Sequence, residues 1–151
     1  MENSNKILFS VSGNIAKLTI NRPERRNALD AGSLEQINIL MDRAESDEKV
    51  RVILITGQGD TFSSGFDLKD QMEKAPKGKE WKPILELDHR TIMRFWNSPK
   101  PTIAAVRGAC LAGAFELSLA CDFTICSKDS FFGEPELKFG AGIVTMLLPW
   151  V

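Results

Sequence analysis

The residues Val50-Arg51-Val52-Ile53-Leu54-Ile55-Thr56 form a run that is rich in β-branched side chains and almost wholly apolar apart from Arg51. The residues Gly57-Gln58-Gly59-Asp60 interrupt this run. Strands without polar alternation are typical of parallel sheets, because helices or other layers cover both of their faces. The run therefore predicts a buried strand in a parallel sheet.

Strands and helices alternate on both sides of this strand. Ile7–Val11 and Ile15–Ile20 alternate apolar and polar residues around a Gly-Asn turn, which predicts a hairpin. Asp30 is placed to cap a helix that runs to about Ala44. Further along, we expect a short helix starting near Asp67, a loop over Ala75–Pro83, a helix over Ile84–Trp96, a strand over Thr102–Val106, a short buried helix over Gly113–Cys121 and a buried strand over Phe123–Cys126. This order predicts an α/β fold, and no internal boundary divides residues 1–151, so a single domain is expected.

The composition narrows the classes of partner. The chain has 151 residues, a formal net charge of −1 and scattered Lys and Arg residues, which argues against nucleic acid as a partner. Arg22, Arg25 and Arg26 could still bind a smaller anion. No apolar run approaches the roughly 20 residues of a membrane span, and the polar start has no apolar signal core. We therefore expect a cytoplasmic protein with no membrane contact.

The cysteine and histidine residues argue against disulfide bonds, a metal site and a nucleophile activated by histidine. The three cysteines, Cys110, Cys121 and Cys126, stand in apolar surroundings. Buried free thiols are expected there, with a disulfide as the alternative. No Cys/His spacing is typical of a metal site. The single histidine, His89, stands in a charged helix turn, so a nucleophile activated by histidine is not expected.

Two segments are rich in small residues at the point where a strand ends. Asp60–Leu68 runs from a Gly-rich turn to a helix start at Asp67, and Gly108–Leu117 is half Gly and Ala. Backbone N–H groups at such helix starts lack helical partners and can bind an anion or a polarised oxygen. The alternatives are a plain strand-to-helix connection capped by Asp67 and close packing of a helix on the sheet.

Two glutamates complete the set of candidate residues. Glu116 lies among apolar residues, so its carboxylate must find hydrogen-bond partners or lose its charge, which suits acid–base chemistry. Glu136 follows Glu116 by 20 residues, with one predicted strand between them. This spacing allows the two carboxyl groups to converge. A solvated side chain is the alternative for Glu136.

Three motifs together resemble the crotonase (enoyl-CoA hydratase/isomerase) family. Asn21-Arg22-Pro23-Glu24-Arg25-Arg26-Asn27-Ala28-Leu29 is similar to its opening signature, and Phe62–Leu68 and Gly108–Glu116 are similar to its two oxyanion segments. The resemblance implies a spiral of ββα turns and assembly into trimers or pairs of trimers. Because family members are longer, it also implies that this chain ends before the C-terminal helical region.

The resemblance also implies roles for individual residues. The backbone N–H groups of Ser64 and Gly113 would bind the thioester oxygen of an acyl-CoA, and Glu116 and Glu136 would add water to a 2-enoyl-CoA in fatty acid metabolism. Another family reaction (isomerisation, thioester hydrolysis or decarboxylation) and a non-catalytic family member are the alternatives. No separate cofactor is implied, since coenzyme A is part of the substrate. The residues implied in coenzyme A contact are Arg26, Ala28, Gly65, Phe66, Asp67 and Leu68.

The chain departs from the family pattern at three places. Ala112-Gly113-Ala114 replaces a run of three glycines, keeping only the middle one. Phe66 replaces a commoner small residue, which is expected to reshape the acyl pocket. Gly140-Ala141-Gly142-Ile143-Val144 stands where the family has a Pro-Gly-Ala-Gly-Gly run, which bears on how a water would be positioned.

Overall fold

The computed structural model describes residues 5–140, 142, 144 and 147. The strands are β1 (Ile7–Ser12), β2 (Ile15–Ile20), β3 (Val52–Gly57), β4 (Thr102–Val106), β5 (Ala109–Leu111), β6 (Phe123–Cys126) and β7 (Phe131–Gly133). The helices are α1 (Ala31–Ser46), α2 (Leu68–Lys74), α3 (Trp81–Trp96) and α4 (Gly113–Ala120), with short 3-10 helices over Pro23–Arg25, Gly78–Glu80 and Pro135–Phe139. No helix in the described part of the chain has the length and apolar character that a membrane span requires.

The main sheet has five strands in the order β1-β2-β3-β4-β6, and the β5 and β7 strands form a small parallel sheet. The β1–β2 hairpin is antiparallel, whereas β3 pairs in parallel with both of its neighbours. Ile55 in β3 lies between Leu18 of β2 and Ala104 of β4, and all three side chains are fully buried. The predictions of an α/β fold and of a buried central strand are confirmed.

The exposure of β6 is the first correction. Phe123 and Ile125 are 61% and 64% exposed, so the prediction of a buried strand over Phe123–Cys126 is wrong for these residues. Among the described strands, β6 pairs only with β4, at the edge of the sheet. Cys126 on this strand is exposed, which contradicts the prediction of a buried thiol there. All three cysteines are free, Cys110 is buried and Cys121 is half-buried.

The start of α3 is the second correction. The predicted loop over Ala75–Pro83 contains a 3-10 helix, and α3 already begins at Trp81. The Glu80 carboxylate accepts a hydrogen bond from the Lys77 N–H at 2.8 Å, which stabilises this entry. Pro83 lies in the first turn of α3, where a missing N–H costs no helical hydrogen bond. Proline at this position is therefore compatible with a helix rather than a sign of a loop.

Candidate active site

The segment after β3 lies between two other parts of the chain. On one side, the Ser63 N–H donates to the Ala109 carbonyl and the Leu111 N–H donates to the Ser63 carbonyl, both at 3.1 Å. On the other side, the Leu29 N–H donates to the Gly65 carbonyl at 2.8 Å. These backbone bonds place Ser63 to Gly65 between the loop of the opening signature (residues 21–29, called the signature loop below) and the β5 strand, beside the start of α4.

Gly65 and Gly113 are in close proximity. Gly65 has φ 94°, and a β-carbon at this position would lie 2.5 Å from the Ala112 β-carbon and 3.3 Å from the Gly113 nitrogen. Only glycine allows this approach, because it has no side chain and tolerates a positive φ. The segments 62–68 and 108–116 therefore lie side by side, and their role in binding an oxyanion stays a prediction.

The two backbone N–H groups differ in their hydrogen bonds. The Ser64 N–H donates to the Arg26 carbonyl at 3.1 Å. Gly113 is the first residue of α4, and within the described residues its N–H makes none of the backbone hydrogen bonds observed outside helices and strands. Binding of one oxygen by both groups stays a prediction. For Ser64 it requires that the bond to Arg26 be shared or replaced.

The Phe66 ring packs directly against Gly113. A β-carbon on Gly113 would overlap the Cε2, Cζ and Cδ2 atoms of this ring. Phe66 also lines a cavity of about 110 Å³ together with Ser64 and Glu136. The large side chain that departs from the family pattern thus forms a wall of the cavity next to the start of α4.

Both predicted glutamates are buried near this cavity, Glu116 at 1% and Glu136 at 8% exposure. The Val144 N–H donates to the Glu116 carboxylate at 2.8 Å, so Glu116 has found the partner that its apolar surroundings require. Glu136 lines the cavity, and its Oε2 has no hydrogen-bond partner among the described residues. Burial raises the pKa of Glu136, and the charge of nearby Glu116 adds to the rise.

Comparison with known proteins shows the family. The model of the enoyl-CoA hydratase/isomerase family matches residues 10–150. The chain belongs to this family. It is 39% identical over 137 residues to a probable enoyl-CoA hydratase of Bacillus subtilis (strain 168), covering 90% of this chain. It is also similar to a crystal structure of an enoyl-CoA hydratase/isomerase from Xanthobacter autotrophicus Py2, with 61% identity, a TM-score of 0.96 and coverage of 97% of this chain.

The chain matches only part of these relatives. It covers 52% of the Bacillus subtilis protein and 55% of the Xanthobacter autotrophicus chain, so it spans about half the length of the relatives that it matches. The chain is also similar to a structure of an enoyl-CoA hydratase from Bacillus anthracis, with 27% identity and a TM-score of 0.89. This match covers 95% of the present chain and 57% of the Bacillus anthracis chain. The resemblance to the crotonase family and its α/β fold are confirmed for this partial length.

Asp67 has a structural role in this member of the enoyl-CoA hydratase/isomerase family. It is buried, and its carboxylate accepts hydrogen bonds from Arg25 at 2.8 Å, from Arg22 at 3.1 Å and from the Asp70 N–H at the start of α2. Burial alone would raise the pKa of Asp67, but these donors outweigh it and lower the pKa. Arg22 and Arg25 are therefore engaged within the protein, whereas the Arg26 side chain is exposed.

The other residues implied in coenzyme A contact lie close together in the chain, but their exposure differs. Ala28 and Gly65 are buried, Phe66 is half-buried and Leu68 is exposed. Their contact with coenzyme A stays a prediction. Within the described residues, no group of three or more His, Cys, Asp and Glu side chains is placed to hold a metal ion.

Two carboxyl groups near the site were missed by the sequence analysis. Burial and the charges of Glu136 and Glu116 raise the pKa of Glu134 to about 8. Burial and the charge of Glu116 raise the pKa of Asp88 to about 7. The signal for Asp88 was present, because it lies four residues from both Ile84 and Ile92 and so shares the apolar face of α3.

Ala112 carries backbone strain at the first position of the replaced glycine run. It has φ 56° and ψ −136°, a conformation that L-residues with a β-carbon rarely adopt. The Ala112 N–H donates to the Gly133 carbonyl at 2.8 Å, and the Ala112 carbonyl accepts from the Glu116 N–H at 3.1 Å. These bonds hold the strained residue in place and fix the start of α4.

Replacing Ala112 with glycine is expected to raise the free energy of unfolding by about 1 kcal/mol, since relief of the left-handed conformation exceeds the entropy that glycine adds to the unfolded chain. Urea unfolding measures this change. The matched control is Ala114→Gly, two residues further on in α4, which is expected to lower the stability by about 1 kcal/mol or more. Destabilisation by Ala112→Gly equal to that of the control would contradict the assignment of strain.

Proposed function

We propose that this protein is an acyl-CoA enzyme that adds water to the double bond of a 2-enoyl-CoA. The observation that carries the proposal is the burial of two carboxyl groups, Glu116 and Glu136. Glu136 lines a cavity that also reaches Ser64, and Glu116 accepts a hydrogen bond from Val144, which lines the same cavity. Burying a carboxyl group is costly, and buried carboxyl groups recur at sites of proton transfer. The names of the relatives, all enoyl-CoA hydratases or members of that family, support the same reaction class.

In the proposed reaction, the backbone N–H groups of Ser64 and Gly113 bind the thioester oxygen. Hydrogen bonds to this oxygen stabilise the negative charge that develops there when the β-carbon is attacked. Glu116, oriented by the Val144 N–H, takes a proton from the attacking water. Glu136, whose pKa is raised by burial and by the charge of Glu116, gives a proton to the α-carbon. The water oxygen thus ends on the β-carbon, and the product is a 3-hydroxyacyl-CoA.

The substrate would be held mainly by its coenzyme A part. We propose contacts from Arg26 and Ala28 in the signature loop and from the segment 65–68. Arg22 and Arg25 are bound to Asp67. We therefore assign contact with a phosphate of the nucleotide to the exposed side chain of Arg26. We also propose that the protein assembles into trimers or pairs of trimers, as the family resemblance implies.

An absorbance assay tests the reaction. Purified protein is mixed with crotonyl-CoA, and the enoyl absorbance and the acyl-CoA products are followed together. The expected result is loss of absorbance with an equal amount of 3-hydroxybutyryl-CoA. Absorbance loss without this product would contradict hydration, and complete absence of turnover on a panel of acyl-CoA substrates would favour a non-catalytic family member.

A second candidate reaction is movement of the double bond. The raised pKa of Glu136 and its partly unpartnered carboxyl group suit a single residue that moves a proton between two carbon atoms of the acyl chain. A 3-enoyl-CoA substrate separates the two reactions. Formation of a 2-enoyl-CoA that does not go on to the 3-hydroxyacyl product would favour isomerisation.

A further inference from the structure

Asp88 is a buried carboxyl group that the proposed reaction does not use. It lies in the middle of α3 and is only 3% exposed. It lines the same cavity of about 110 Å³ as Ser64 and Glu136. Asp88 therefore faces the space in which the acyl group of the substrate would lie.

The Asp88 carboxyl lacks a protein partner on one side. Its Oδ2 atom is buried and has no hydrogen-bond partner among the described residues. A buried polar group without a partner costs stability, so such groups are rarely kept where nothing binds them. This oxygen is placed to form a hydrogen bond with a polar group bound in the cavity.

The other walls near Asp88 are mixed in character. Leu68, Leu85 and Phe66 line the cavity with apolar surface, whereas Gln71 of α2 adds an amide to it. A purely hydrocarbon acyl chain would satisfy the apolar walls but would leave the carboxyl group unpaired. A hydroxyl on the acyl chain would satisfy both, because it donates one hydrogen bond and accepts others.

The protonation of Asp88 favours the same ligand group. Burial and the charge of Glu116 raise the pKa of Asp88 to about 7, so both forms are populated near neutrality. The protonated form can donate a hydrogen bond, and the ionised form can only accept. Of the simple acyl substituents, a hydroxyl can pair with either form.

Building on the proposed function, we propose that Asp88 determines specificity by hydrogen bonding to a hydroxyl group on the acyl chain of the substrate. The enzyme then prefers hydroxylated short acyl groups to hydrocarbon groups of equal length. Asp88 acts in binding, and the proton transfers remain with Glu116 and Glu136.

Binding of saturated thioesters tests this proposal without any turnover. Isothermal titration with butyryl-CoA and 4-hydroxybutyryl-CoA, and with pentanoyl-CoA and 5-hydroxypentanoyl-CoA, gives the ratio of dissociation constants for each pair. We expect the wild-type protein to bind one of the hydroxylated ligands about 10- to 100-fold more tightly than its hydrocarbon counterpart. Asp88→Leu should abolish or reverse this preference, whereas Asp88→Asn should keep most of it.

The control variant is Glu86→Leu, which changes an exposed acidic residue on the same helix and is expected to leave both ratios unchanged. Equal affinity of the wild-type protein for both members of both pairs would overturn the proposal, whatever the variants do. An equal loss of affinity for all ligands in Asp88→Leu would also overturn it, and would make Asp88 a structural residue. A binding preference that survives in Asp88→Leu while that variant loses hydration would overturn the proposal too, and would make Asp88 catalytic instead.

Hydration of crotonyl-CoA is measured on the same samples, so that the two proposals are separated. A protein that shows the binding preference but hydrates no enoyl-CoA would retain the role of Asp88 and overturn only the proposed reaction. Failure to bind any of the four thioesters would overturn both.

Discussion

Replacing Glu136 with glutamine is expected to lower kcat for the hydration of crotonyl-CoA by about a thousandfold, with little change in KM. Glutamine has nearly the same shape as glutamate, so the cavity wall is preserved. It cannot give a proton to the α-carbon, and so the step that completes the addition is lost. Steady-state kinetics followed by enoyl absorbance measures the change, and exchange of the α-proton with deuterated water shows whether the lost step is proton transfer.

The matched control is Glu134→Gln, two residues away and close enough to affect the pKa of Glu136. This variant removes one carboxyl group from the same region but keeps the proposed proton donor. We expect kcat to decrease by less than about tenfold, a smaller decrease than the loss of a general acid causes. The reverse pattern, in which Glu134→Gln is inactive and Glu136→Gln active, would assign the proton donor to Glu134. Full activity in both variants would contradict a two-glutamate reaction and leave Glu116 as the acid–base group.

Replacing Gly113 with alanine is expected to lower kcat/KM by about 100- to 1,000-fold and the free energy of unfolding by about 1–3 kcal/mol. The added methyl group would overlap the Phe66 ring, because that ring packs directly against the glycine. Either the ring or the start of α4 must then move, which displaces the Gly113 N–H from its position beside Gly65. Thermal or urea unfolding and kinetics on the same sample measure the two effects.

A second substitution isolates the cause. The double variant Gly113→Ala with Phe66→Ala is compared with Phe66→Ala alone. In this background Gly113→Ala should cost much less stability than in the wild-type protein, since the space taken by the ring has become available. Gly133→Ala is the control, because its added β-carbon would lie 3.6 Å from the Leu111 side chain, an ordinary contact. A Gly113→Ala protein as stable and active as the wild type would contradict both the packing argument and the importance of this N–H.

The sequence predicted the elements whose pattern is local. The helix capped by Asp30 and the strands β3 and β4 were found because periodicity and capping depend only on neighbouring residues. The β5 and β7 strands, with three residues each, were missed because so short a segment has no readable period. The exposure of β6 could not be read from its apolar residues, since exposure depends on what packs against the strand.

The candidate site was predictable in part. The family resemblance, carried by the order of three motifs, implied that Ser64, Gly113 and Glu136 lie in one region. Ser64 and Glu136 line one cavity, and Gly113 packs against Phe66 of the same cavity. The position of Asp88 on the apolar face of α3 could be read from the sequence, but its place at the cavity could not, because that depends on how α3 packs against α1 and α4. The hydrogen bond from Ser64 to Arg26 was not predictable either, as it joins two loops whose contact appears only in the folded chain.

The bond between the Ser64 N–H and the Arg26 carbonyl has an energetic consequence for the proposed reaction. A substrate thioester carbonyl is uncharged, like the peptide carbonyl that it would displace, so the exchange adds little to ground-state affinity. The oxyanion of the transition state carries charge and is a much stronger acceptor than the Arg26 carbonyl. Displacing the Arg26 carbonyl costs the same free energy in the substrate complex and in the transition state. This internal competitor therefore weakens substrate binding and raises KM, but it leaves unchanged the difference between the two states that sets kcat.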